Sequence, residues 1–333
     1  MTGPTAPRPA AVPSPAAAST RYDVLVLGEV LVEVHADTAL RDAVDGTPAR
    51  ISYSGDALNA AAAAAAAGAR TALLAVVGDD ELSVPLLRRA AELGVDVSHV
   101  RRAPHPNGAY LLSADTEGDR GFVYWRTRSA GSTLSVRHIA SWRHLLTGST
   151  ALVTSGVTGA LSPSSRAAAE TVHAAGGHVS YDPNFRSRLT GREEARELLA
   201  RIAPLTGLLK TSCPGDALAL VDTDEPRTAA ARYRALGART VAVTAGADRL
   251  LLDQGGALTC HSVPVNPDPV DATGAGDCFT GTTTARLALG DTLADAVAYG
   301  TAAASLSVSG RGGTGYVPPF ARTAALAAAH RRT

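Results

Sequence analysis

From Tyr22 onward, short apolar runs alternate with longer amphipathic or alanine-rich stretches. Asp23-Val-Leu-Val-Leu-Gly28 reads as a buried strand that stops at a glycine, and residues 30–34 and 51–53 read as two more strands. Ser54-Gly55-Asp56 opens an alanine-rich helix to about 67, closed by Gly68; Ser and Asp accept first-turn amides, and glycine supplies a left-handed C-cap. Residues 71–77 read as a strand and 81–93 as a helix, followed by a hairpin-like interval from about 97 to 125. The alternation then resumes. Strands are expected at 151–154, 178–182, 207–210 and 240–244, with helices at 164–175, 192–203, 216–220 and 226–236. Two short strands, 249–253 and 258–263, precede a glycine-rich turn at 273–276 and helices at 277–288, 292–308 and 319–329.

Strands alternating with helices of this length predict βαβ units and a mostly parallel sheet covered by helices. The strand-only intervals, about 30–53 and 97–126, predict a small second sheet built from two excursions out of one domain spanning 21–330. Residues 1–20 are rich in Pro, Ala, Ser and Thr and read as a disordered tail; prolines interrupt any signal-like apolar core.

Composition narrows the chemistry. Of 333 residues, 31 are Lys or Arg and 31 are Asp or Glu, so the formal net charge is zero. Such a chain carries no basic footprint for nucleic acid and none for an anionic membrane surface. The longest apolar stretch, 57–69, is mostly alanine and too short to span a bilayer, so a soluble, cytoplasmic protein is expected. Cys213, Cys260 and Cys278 form no C-x-x-C pair, which speaks against a zinc site or a disulfide framework. Lys210 is the only lysine. Neither the phosphate-loop pattern ending in G-K-[ST] nor the protein-kinase pattern is present, and Lys210 reads as a strand-end lysine.

The most informative segment is Pro269-Val-Asp-Ala-Thr-Gly-Ala-Gly-Asp-Cys-Phe279. Its small residues let the backbone N–H groups of Gly274, Ala275 and Gly276 converge on an anion, reinforced by the positive end of the following helix. Asp277 would stand beside that anion, where a carboxylate is costly unless it accepts a proton from an attacking hydroxyl. Donors for developing charge next to a base are what phosphoryl transfer requires. Two plainer readings compete. G-A-G-D is half of a dinucleotide fingerprint, though late in the chain, and Asp277 is compatible with a simple helix cap.

The chain resembles the ribokinase-like (PfkB) sugar kinases from about Tyr22 to Pro319. The resemblance is carried by Gly28-Glu29, Gly55-Asp-Ala-Leu-Asn59, Val77-Gly-Asp-Asp80, Asp182-Pro-Asn184, Thr244-Ala-Gly-Ala247 and Asp271–Asp277, in that order. It implies a Rossmann-like αβα sandwich with a small β lid over a sugar site. It implies Asp277 as catalytic base, Gly274, Ala275 and Gly276 as anion hole, and Thr244 and Gly246 at the nucleotide. ATP would bind with Mg²⁺ across its phosphates, and Asp271 would support a monovalent cation such as K⁺. The family's N-x-x-E segment is not matched: Thr211-Ser-Cys-Pro-Gly-Asp216 lacks the asparagine and displaces the acid.

Within that family, Val123-Tyr-Trp-Arg-Thr-Arg-Ser-Ala-Gly-Ser132 and Asp182-Pro-Asn-Phe-Arg186 followed by Arg188-Leu189 resemble segments of the 2-keto-3-deoxygluconate kinases. An acid sugar presents a carboxylate, and arginine's planar fork binds carboxylates bidentately. Arg126 and Arg186 are the candidates, with Tyr110 and Tyr124 as an aromatic wall and hydroxyl source, and Gly55 and Asn59 as sugar contacts implied by the resemblance. The expected reaction is ATP-dependent phosphorylation of a primary hydroxyl, that of 2-keto-3-deoxygluconate foremost. The alternatives are a kinase for fructose, ribose or a nucleoside, a non-catalytic binder of the same fold, and a dinucleotide-dependent oxidoreductase. In the family that the chain resembles, exposed lid strands often pair between protomers, which implies a homodimer.

Overall fold

The computed structural model describes residues 21–331 apart from 37, 114–121 and 176, so the tail expected at 1–20 lies outside the described residues. Its strands, in chain order, begin with β1 (Val24–Leu27), β2 (Leu31–Ala36), β3 (Ala49–Ser54), β4 (Thr71–Leu74) and β5 (Val76–Gly78). Next come β6 (Arg101–Ala103), β7 (Gly108–Ser113), β8 (Phe122–Trp125), β9 (Ala151–Ser155) and β10 (His178–Asp182). The last four are β11 (Leu208–Ser212), β12 (Thr240–Ala245), β13 (Arg249–Gln254) and β14 (Ala257–Ser262).

The main sheet has eight strands in the order β14-β13-β12-β11-β10-β9-β1-β4. It is parallel from β4 to β12, with β13 and β14 added antiparallel at one edge. A parallel sheet must be covered on both faces, and the side-chain period of two shows how. Val24, Val26, Leu73 and Val153 point into the core beneath the helix Asp56–Ala66. Their neighbours Leu25, Leu27, Leu74 and Leu152 point the other way, onto Trp142 and Leu134. This matches the αβα sandwich expected from the sequence. No helix among the described residues is long and apolar enough to cross a membrane.

Both strand-only excursions enter a four-stranded sheet ordered β3-β2-β7-β8. The expected intervals need two corrections. Residues 71–77 are two strands, and β5 pairs with β6 in a separate two-stranded ribbon rather than in either larger sheet. Of the second excursion, β7 and β8 therefore enter the four-stranded sheet and β6 does not. A polar knot accounts for the diversion: Asn107 accepts the Gly78 amide at 3.0 Å and donates to Asp80 at 2.6 Å. Short helices at Val136–Ser141, Arg143–Gly148 and Gly156–Ala160 occupy stretches with too few residues to carry a helical period.

The alanine run has a packing reason. A Cβ on Gly281, in the helix Ala275–Ala288, would lie 2.1 Å from the carbonyl oxygen of Ala60. Only side chains as small as these let the two helix backbones approach so closely, and that approach brings the N-terminal ends of the two helices together. Gly281→Ala is accordingly expected to destabilise the protein by about 1–3 kcal/mol through overpacking, even though alanine is by about 1 kcal/mol the better helix former. Urea unfolding measures the difference; an unchanged or raised midpoint would contradict the close crossing.

Candidate active site

The carboxyl ends of parallel strands, where the chain turns outward, are the usual floor of a ligand cleft in such sheets. Here a cleft of about 720 Å³ lies between those ends and the four-stranded sheet. Asp277 and the turn before it form one wall.

Gly274 caps the helix Ala275–Ala288 with φ of +78°, a left-handed conformation that favours glycine. The helix starts two residues earlier than the expected 277, so Asp277 is its third residue. An α-helix leaves its first-turn amides without helical acceptors, and both Gly274 and Gly276 line the cleft. Ala275 departs from expectation: its N–H donates to the Ala272 carbonyl at 3.2 Å, inside the turn.

Two amides hold Asp277. Asn59 Nδ2 donates to its Oδ2 at 2.9 Å and Asn184 Nδ2 to its Oδ1 at 3.4 Å. Burial, followed by the Asp56 carboxylate, pushes the Asp277 carboxyl up to about 7; the Asn59 hydrogen bond opposes them, and Asp182 and Lys210 act in opposite directions. A carboxyl in that range takes up a proton at neutral pH far more readily than an exposed one. Gly55, φ +122°, sets up Asn59 by starting the helix Asp56–Ala66: its α-hydrogen faces the Glu29 carbonyl, where a Cβ would sit at 2.4 Å.

Lys210 is the residue that sequence reasoning undervalued. It is buried in β11, lines the cleft, and donates from Nζ to Asp182 Oδ2 at 2.9 Å. Burial works against its charge, but the carboxylates of Asp182, Asp216 and Asp277 outweigh that and hold it above the ordinary lysine value. Gly276 makes room for it, since a Cβ there would be 2.7 Å from Nζ. A cation therefore lies directly against the turn expected to bind an anion. The one signal in the sequence was that a chain otherwise relying on arginine keeps a single lysine inside an apolar strand.

The displaced acid, Asp216, is a structural tie. Its Oδ1 accepts the Phe185 amide at 2.8 Å, and its Oδ2 accepts the Ser212 amide at 3.0 Å and hydroxyl at 2.6 Å. Asp271 is likewise engaged: Oδ1 accepts Thr273 N and Oδ2 accepts Gly312 N, each at 2.8 Å. The segment 310–315 that it holds reaches the small sheet, where Thr314 Oγ1 donates to the Tyr53 carbonyl at 2.7 Å. Thr244 and Gly246 do not line the cleft; Thr244 pairs in register with Ser212, which does, and Gly246 turns the chain after β12 with φ of +60°. Among the described residues no cluster of three His, Cys, Asp or Glu side chains is arranged to hold a metal.

On the opposite wall, Tyr110, Tyr124 and Arg126 line the cleft, and Arg186 and Arg188 stand exposed at its rim. The Arg126 guanidinium lies 4.8 Å from the Tyr124 ring centre and 5.8 Å from that of Tyr110, and its Nε is 3.3 Å from Glu29 Oε2. Arg126 is thus fixed by a buried carboxylate, a partner that sequence reasoning did not anticipate. Tyr110 also departs from expectation. Its hydroxyl donates to Glu33 and lies 3.3 Å from Ser54 Oγ, so it offers the cleft a ring face rather than a hydroxyl.

A family model described as pfkB family carbohydrate kinase matches residues 21–319. A 2-dehydro-3-deoxygluconokinase of Thermoproteus tenax is 29% identical over 90% of this chain and 93% of its own length. A fructokinase of Escherichia coli is 27% identical over 77% of this chain and 81% of its own. An E. coli protein provisionally classed as a ribokinase II, solved with ATP and Mg²⁺, superposes with a TM-score of 0.80 at 25% identity, covering 92% of this chain and 99% of that one.

The buried ion pair can be tested without any ligand. Removing one member of a buried pair typically costs about 3–5 kcal/mol, against about 0.2–1 kcal/mol for an exposed one. Lys210→Gln should therefore lower stability in urea by the larger amount. Adding Asp182→Asn should return much of it, because the stranded carboxylate is then gone.

Proposed function

This chain belongs to the pfkB family of carbohydrate kinases, and we propose that the sugar it phosphorylates is 2-keto-3-deoxygluconate, at its terminal hydroxyl. The observation that carries this reading is the meeting of Arg126, Arg186 and Arg188 around one cleft whose far wall is Asp277 and the anion-binding turn. A sugar acid brings a carboxylate for a guanidinium fork, a partner that a neutral sugar lacks. The likeness to the T. tenax enzyme supports the same substrate; the likeness to a fructokinase supports the second reading, a neutral ketose.

The roles follow from position. The sugar lies between the Tyr110–Tyr124 wall and Asp277, with Asn59 holding the base in place. Asp277 takes the hydroxyl proton as that oxygen attacks the γ-phosphorus of ATP in line, and ADP leaves with the bond's electron pair. Gly274, Gly276 and Lys210 face the charge that develops on the phosphoryl oxygens. Mg²⁺ bound with ATP would supply further neutralisation of the phosphates, held largely by phosphate oxygens and water. Asp271, held beside the turn by its bonds to the Thr273 and Gly312 amides, would support a K⁺ there.

A coupled ATP-consumption assay on sugars with and without a carboxylate tests the substrate. Turnover should be confined to 2-keto-3-deoxy acids, and Arg186→Ala should raise KM for the acid by at least tenfold, about the 1.5–3 kcal/mol of a charged hydrogen bond. Equal turnover of fructose, indifferent to that substitution, would favour the ketose reading. Asp277→Asn should lower kcat by roughly 10²–10⁴ as a lost general base does; unchanged turnover would remove Asp277 from that role.

The outer face of the small sheet is apolar: Ile51, Val123 and Trp125 are 60%, 40% and 55% exposed. In the paired register, Val34 and Leu111 stand on this face, opposite to Glu33 and Tyr110. We infer that a second copy of the chain covers it. Sedimentation should report a dimer that Trp125→Glu converts to monomer; a wild-type monomer at all concentrations would end the idea.

A further inference from the structure

Behind Asp277 lies a second, much smaller cavity of about 10 Å³, close to the room that one water needs. Asp56, Ser155, Asp182, Asp277 and Thr280 contribute its polar wall. Asp56 plays no part in the mechanism above, yet it is placed there with care. Its Oδ2 accepts the Ser155 hydroxyl at 2.5 Å, while its Oδ1 is buried with no hydrogen-bond partner. A buried carboxylate oxygen without a donor is rarely left so. A water in the adjoining cavity supplies one.

The charges around the two carboxylates make Asp56 the uncompensated one. On the β10–β11 side, Asp182 is neutralised by Lys210, which also faces Asp216. On the small-sheet side, Arg126 is drawn to Glu29 before it reaches Asp56. Asn59 and Asn184 donate to Asp277, and Ser155 donates to Asp56. What remains are two carboxylates on the wall of one cavity, which cannot both be ionised without mutual repulsion.

We propose that Asp56 and Asp277, both ionised before the reaction, share the one proton taken from the sugar through a water seated in this cavity, Asp56 serving as the positioning residue for the proton of the base. The inference rests on Asp277 being the base. In the reaction, the sugar O–H bond breaks, its proton passes to Asp277, and the sugar O–P bond forms as the bond to ADP breaks. The water then accepts the proton from Asp277 and gives one of its own to Asp56, which borders both the small cavity and the cleft. The proton returns to solvent when the products leave. The two carboxyls are well matched for this exchange: burial raises Asp56 to about 6, against about 7 for Asp277.

The pH dependence of kcat/KM, measured on the full chain with the sugar that the panel identifies, reads the coupling. With Asp56→Asn the negative neighbour is gone and Asp277 ionises more easily, so the acid limb should move to lower pH by about one unit. An unmoved limb with a raised sugar KM would mean that Asp56 is only a sugar contact. Infrared titration of the carboxyl C=O band in the unliganded wild type needs neither substrate nor activity. Two linked steps near neutrality are expected, reduced to one in Asp277→Asn. A single step in the wild type would overturn the proposal, and would do so whichever sugar, if any, the panel reveals.

Discussion

The contact on which the rest depends is the crossing of two helices at Ala60 and Gly281. One helix follows β3 and the other follows the anion-binding turn, and they come from opposite ends of the chain. Their N-termini meet only because alanine and glycine face each other there. The hydrogen bond from Asn59 to Asp277 closes this junction, across 218 residues of sequence. Ala60 and Gly281 do not line the cleft, but a half-turn of slack between the helices would separate Asp277 from the Asn59 amide that orients it.

Around that junction the protein concentrates negative charge. Asp56, Asp182, Asp216 and Asp277 converge near the cleft floor with Lys210 as the cation among them. Before any phosphate arrives such a group is under electrostatic tension, which protonation relieves and which raises the proton affinity of Asp277. The same tension is what would suit Asp277 to the proposed role of base. It also explains why the anion-binding turn needs a buried lysine beside it: backbone amides alone would face incoming phosphate across a field of carboxylates.

What the sequence made legible were features encoded locally. The strand expected at 178–182 is His178–Asp182, and the helix expected at 226–236 is Pro226–Ala235, because period and capping residues lie within a few positions of each other. The positions of Asp277, Gly274 and Gly276 were legible for the same reason, as one short turn carries them. Illegible were pairings between distant segments. No local pattern says that Glu29 faces Arg126, that Tyr110 gives its hydroxyl to Glu33, or that β5 leaves the main sheet for β6. Lys210 was misjudged on the same ground, since its significance comes from Asp182 and Gly276, which only the folded sheet brings beside it.

The segment 310–315 joins two parts that would otherwise be independent. Gly312 is tied to Asp271, two residues before the Thr273 turn, and Thr314 is tied to the carbonyl of Tyr53 in the small sheet. Gly312 also has Glu33 so close that a Cβ would be 2.0 Å from its Oε1. This strip of chain is a lever. Two hydrogen bonds on one short arm thus tie the small sheet to the turn before Asp277, so neither can shift without pulling on the other.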